Sequence, residues 1–130
     1  MRRLAFCLLL VGATLSLPAV AHHSFALYDM TKQVKLVGTV KEFLWVNPHI
    51  VLHLEVPNGS AVEEWVIDGP GVFLLKRKGW SKTTFKPGDK VTVTIGPKRD
   101  GSKGGTFVEA ILPDGTALRS RDPEAAYPSP

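Results

Sequence analysis

Apolar and polar residues alternate with a period of two through much of residues 34–119, the pattern of strands that each bury one face. Between Phe43 and Val56 two apolar runs meet at Asn47-Pro48-His49. Proline fixes its own φ and pushes the preceding residue out of the helical region, so the two runs are adjacent strands joined by a turn. After the turn, Ile50, Leu52, Leu54 and Val56 alternate with Val51, His53 and Glu55. Before it, Leu36, Gly38, Val40, Leu44 and Val46 share a face that Glu42 interrupts, which predicts a bulge near Glu42. Gly38 in mid-strand predicts a sharp bend or a close approach of another backbone.

Pro57-Asn58-Gly59-Ser60 predicts a tight turn, with Asn-Gly supplying positive φ at low cost. In the third strand, Ala61 to Ile67, both faces carry apolar bulk, so the inward one is ambiguous. Asp68-Gly69-Pro70 then breaks the alternation. Asp68 can cap a helix of two to three turns in which Pro70 occupies the first turn and Val72, Phe73, Leu74 and Leu75 form the buried side. Lys76-Arg77-Lys78 suits the helix C terminus and reads as a solvated end, with an anionic envelope surface as the alternative; Trp80 packs back as a plug. Lys86-Pro87-Gly88-Asp89 turns into the fourth strand, through Val91, Val93 and Ile95. A glycine-rich loop and a fifth strand, Thr106 to Leu112, follow; Pro113-Asp114-Gly115 turns the chain, and Thr116 to Arg119 adds a short edge.

Three strands, a helix and two strands in this order predict a mainly β fold: a small five-stranded OB-like Greek-key barrel with one short helix between strands 3 and 4. A small β-sandwich or roll is the runner-up. The barrel is assigned to residues 34–119, an extended N-terminal arm to residues 22–33, and a proline-rich disordered tail to residues 120–130.

Residues 1–21 stand apart. Arg2 and Arg3 precede an apolar run from Leu4 to Leu17, and Ala19-Val20-Ala21 offers a small-residue cleavage site. The run is shorter than the roughly 20 residues of a spanning helix. A cleaved signal peptide is expected, by the ordinary Sec route rather than the twin-arginine one, with a periplasmic or secreted product and no stable membrane insertion afterwards. Cys7, the only cysteine, leaves with it, which excludes disulfides, thiolate catalysis and thiolate metal sites in the mature chain. Removing Arg2 and Arg3 from the sixteen basic residues leaves fourteen against twelve acidic ones. That near balance argues against nucleic acid as a partner.

The chemistry-bearing residues are the four histidines His22, His23, His49 and His53. A mature chain beginning His22-His23 presents an α-amine and ring nitrogens that can chelate one ion together, copper before zinc by the divalent affinity order. Ser24 stands third, so the amino-terminal motif with histidine at that position is absent. On one strand His49 and His53 would lie about 13 Å apart, too far to share an ion. The set expected is therefore the N-terminal pair with His49 or His53, the arm folding back over the first hairpin and Glu55 orienting His53. Against this stands the reading in which His49 caps its own turn and His53 is solvated. Phe43, Trp45 and Trp65 are candidates for a ligand platform on the barrel wall, or else cover the helix or the arm. No catalytic residue is indicated: no base is placed beside a serine or threonine, and Glu63 and Glu64 point to opposite strand faces.

Ala21-His22-His23-Ser24-Phe25, Val37-Gly38-Thr39-Val40, Trp45-Val46-Asn47-Pro48-His49, Gly79-Trp80, Lys86-Pro87-Gly88-Asp89 and Pro113-Asp114-Gly115 together are a fuller signature. In these the chain resembles a bacterial domain-of-unknown-function family of small exported proteins. The resemblance spans nearly the whole mature chain and implies export and one β-rich domain; it brings no ligand or catalytic residue with it. The function expected is a non-enzymatic periplasmic binding module, with no cofactor certain and copper the metal to test. An envelope module meeting a protein or glycan partner is one alternative, and a small copper-dependent oxidoreductase another.

Overall fold

Strand β1 (Val34–Leu44) serves two neighbours. In the computed structural model, which describes residues 26–120, its first half pairs antiparallel with β4 (Lys90–Pro97) and its second half with β2 (Val51–Asn58). Strand β2 continues antiparallel into β3 (Ala61–Asp68) through Gly59 at φ 62. Strand β5 (Gly104–Ile111) lies antiparallel to β4 and parallel to β3, where Ile67 stands opposite Gly105. The order β1-β2-β3-β5-β4 thus returns to β1, and the sheet closes into the expected five-stranded barrel. Helix α1 (Val72–Arg77) falls between β3 and β4, and the short β6 (Ala117–Arg119) adds an edge to β5.

Closure depends on two features of β1. A Cβ at Gly38 would stand 2.5 Å from the Glu55 carbonyl oxygen and 2.9 Å from Leu54 Cγ, so only glycine lets β2 cross this closely. Three residues on, the β1–β2 register slips: Val40 faces Leu54 and Glu42 faces His53, leaving Lys41 as the extra residue. The bulge near Glu42 is therefore present, and it reverses the phase beyond it. Phe43 and Trp45 pack against the core, whereas Val46, expected on the buried face with Leu44, is exposed.

The barrel interior holds Leu36, Val40, Leu52, Leu54, Ile67, Val93 and Ile95. Ile67 is buried and Val62 exposed, which settles the inward face of β3. A chain of tilted and edge-to-face rings runs Trp45–Phe43–Phe85–Trp80–Phe107, with centroids 5.1 to 5.8 Å apart. Trp80 is the plug that was expected, its N–H returning to the Leu75 carbonyl after Gly79 at φ 84.

Helix α1 departs from expectation in length and in face. It has six residues, and of the four apolar residues expected to be buried only Leu75 is fully so. At 3.6 residues per turn a helix this short presents one position to the barrel and turns Phe73 and Leu74 outward. The C terminus of the barrel differs too. Ser120, expected in the disordered tail, is buried and donates its hydroxyl to the Phe107 carbonyl at 2.8 Å. The expected leader, the His22-His23 pair and the rest of the tail, residues 121–130, lie outside the described residues.

Because the Gly38 contact is with backbone, Gly38→Ala is expected to lower stability by about 1–3 kcal/mol, read as a drop in Tm by circular dichroism. Gly59 has open space around its would-be Cβ but a φ of 62, so Gly59→Asn, which tolerates that region, should lower Tm less than Gly59→Val.

Candidate functional site

The turn from β1 to β2 is tied to the connection between β3 and α1. The Asn47–Pro48 peptide is cis, and the Asn47 side-chain oxygen accepts the Val72 N–H at 3.2 Å. Asn47, not Asp68, therefore caps the helix, across 25 residues of sequence. Gly71 holds the cap position with no side chain of its own to offer, while Asp68 is the last residue of β3. Ile50 and Gly69 lock the two segments together, Gly69 N–H donating to the Ile50 carbonyl at 2.9 Å.

His49 is exposed at this junction, before β2 begins. Its Nδ1 lies 3.2 Å from the Gly69 carbonyl, which can only accept. Nδ1 is therefore the nitrogen that donates, which makes Nε2 the ring atom available to a ligand in the neutral tautomer. A backbone carbonyl behind Nδ1 is the arrangement that orients metal-binding imidazoles, and it equally satisfies a purely structural histidine.

His53 has a different partner from the one expected. Its Nδ1 lies 2.7 Å from Glu64 Oε1, and the other Glu64 oxygen takes the Lys41 ammonium. The antiparallel register places Val66 opposite His53 and Glu64 one diagonal away on the same face, while Glu55 is two residues along the same strand. The Lys41 and His53 hydrogen bonds hold Glu64 below the usual carboxylate range. Glu64 in turn raises Lys41, so an ammonium stays beside this imidazole. Glu63 is also lowered, chiefly by Lys103 and then by Asn58.

The described part of the N-terminal arm is docked along the loop after β4. Asp29 N–H donates to the Pro97 carbonyl at 2.8 Å, and Arg99 N–H to the Leu27 carbonyl at 2.9 Å. Tyr28 is buried, and its hydroxyl donates to Asp68 Oδ2 at 2.5 Å. Asp68 adjoins Gly69, which His49 contacts. The Tyr28 side chain thus reaches toward the Asn47-Pro48-His49 turn, while the arm backbone runs antiparallel to Pro97 and Arg99. Nothing local in the sequence pairs Tyr28 with a carboxylate 40 residues away.

The candidate platform divides. Phe43 and Trp45 meet at 5.8 Å within the aromatic chain that fills the barrel end. Trp65 is half-buried opposite Leu54, with the Lys103 ammonium 5.4 Å from its ring centroid. Among the described residues no ring contact joins Trp65 to the other two. Nor do three His, Cys, Asp or Glu side chains come together there in a group that could hold a metal ion. His49 and His53 each face outward with a partner of their own.

These features define a small closed β-barrel with a helical plug, a docked arm and two outward imidazoles set by separate second partners. The chain belongs to a family of unknown function (DUF6152), whose model matches residues 10–108. No curated protein and no solved structure matches it.

Burial, then the hydrogen bond to Asp68 and its charge, push the Tyr28 phenol well above its ordinary value of 10.0. The unfolded chain ionises first, so this contribution is intact below pH 10 and is lost as pH rises above it. Tyr28→Phe is expected to lower stability at neutral pH by about 1–3 kcal/mol and to flatten the alkaline decline. Chemical denaturation from neutral to alkaline pH checks both; identical curves for the two proteins would refute the anchor.

Proposed function

We propose that this protein is an exported, non-enzymatic binding module that takes a transition-metal ion, copper before zinc, through His22, His23 and His49. The observation that supports it most is the Tyr28–Asp68 anchor, which ties the arm to the residue next to Gly69, the partner of His49. His23 is five residues before Tyr28, a span of at most about 17 Å when extended. His49 is exposed, with the Gly69 carbonyl behind its Nδ1.

Between the two later imidazoles, electrostatics favours His49. A cation at His53 would sit beside the Lys41 ammonium and compete with it for Glu64. At His49 the neighbouring group is the Gly69 carbonyl, which accepts from Nδ1 and brings no competing cation. A binding role also suits the carboxylates. Glu63 and Glu64 are held ionised by basic partners, opposite to the raised pKa of a general acid.

Protein exported from host cells, its N terminus verified by mass spectrometry, is titrated with Cu(II) in competition with a chelator of known affinity. Tight binding is expected. One extra residue before His22 and His49→Ala should each weaken it by tenfold or more, while His53→Ala leaves it unchanged. Micromolar or weaker binding that neither change alters would end the metal reading.

A further inference from the structure

The excursion between β3 and β4 has a charge unlike the rest of the chain. Residues 72–90 contain six basic residues and one acidic residue, Asp89, in a protein otherwise close to balance. Lys76, Arg77, Lys82 and Lys86 are exposed, and none enters an ion pair among the described residues. Elsewhere Lys32, Lys41, Lys103 and Arg119 each meet a carboxylate. The excursion is held firmly from beneath by Leu75, Trp80 and Phe85, all buried.

On the outer side of α1 stands Phe73, 75% exposed, with Leu74 at 44%. Residues three and four apart share a helix face, so Lys76 and Arg77 flank the Phe73 ring. An apolar tip between cations on a rigid base matches the boundary of an anionic bilayer: the ring enters the acyl edge and the cations stay among phosphates. Long basic side chains accommodate this by extending their stems along apolar surface while the charge remains in the polar layer. Among the described residues no helix is long and apolar enough to cross a membrane, so any such contact by α1 is peripheral.

We infer that helix α1 is a docking surface for an anionic phospholipid bilayer, with Phe73 and Leu74 inserted and Lys76, Arg77, Lys82 and Lys86 around them. The inference goes beyond the metal reading and stands without it, because neither His49 nor the residues before residue 26 take part.

Metal-free protein exported from host cells is sedimented with vesicles of phosphatidylcholine alone, or of phosphatidylcholine with phosphatidylglycerol, at low and high salt. Partition to the phosphatidylglycerol vesicles is expected, falling as salt rises. Phe73→Ser and the pair Lys76→Glu, Arg77→Glu should each reduce it by about tenfold or more. Phe73→Ser should melt close to wild type and the charge pair only a few degrees lower, since all three side chains are exposed and only the pair opposes the helix macrodipole. Any N-terminal apolar residue left by processing is common to all the proteins compared. Absence of partition at low salt, equal partition to uncharged vesicles, or partition that both variants leave intact would overturn the inference. Retention on an anionic polysaccharide with no vesicle binding would also overturn it and make the surface a glycan site.

Discussion

The fold rests on one strand having two partners. A five-stranded sheet closes only if β1 pairs with β4 in its first half and β2 in its second, so it must bend between them. Gly38 provides the bend by letting the Glu55 carbonyl come where a Cβ would stand. The extra residue at Lys41 then adds twist and resets the alternation. Val40, just before the slip, exchanges hydrogen bonds with Asp89 and Gly88, which brings the turn before β4 onto β1 at that point. The same slip sends Lys41 outward to Glu64 and Phe43 inward to Phe85. The outer charge cluster and the inner aromatic chain thus have a common origin.

A second junction converts this barrel into a platform with a defined end. Asn47 caps α1, Ile50 and Gly69 hold their segments in register, and His49 closes onto the Gly69 carbonyl. Each bond links residues about 20 or more apart, so the turn and the helix start order each other. Tyr28 ties the N-terminal arm to Asp68, the residue next to Gly69. Imidazole orientation, helix start and arm placement are therefore one coupled arrangement.

Which parts were legible in the sequence follows from the range of the interaction responsible. Asn58-Gly59 and Pro113-Asp114-Gly115 announce themselves because their glycines take positive φ within the turn, Gly38 because a glycine in mid-strand marks a close approach, and strand order followed from alternation and turns. The bulge was visible at Glu42, but its effect on Phe43, Trp45 and Val46 was not, since the two-against-one count belongs to the partner strand. Asp68 looked like the helix cap because it has the right chemistry at the right distance along the chain. The cap came instead from Asn47, brought in by tertiary pairing. Glu55 was the expected partner of His53 because it lies two residues along the strand, and the β2–β3 register brought Glu64 instead. Local chemistry was readable; cross-strand choice was not.

The two proposed surfaces share α1, yet its polarity separates them. Its first residue receives the cap from the His49 turn, and its last two, Lys76 and Arg77, lie where the helix macrodipole favours cations. Six residues span about 9 Å, comparable to the screening length of about 8 Å at physiological ionic strength. A metal ion near His49 would therefore feel the two basic side chains only weakly. The shortness of the helix, which left Phe73 without a buried role, is also what sets that exposed ring beside the helix start while its two cations sit at the other end.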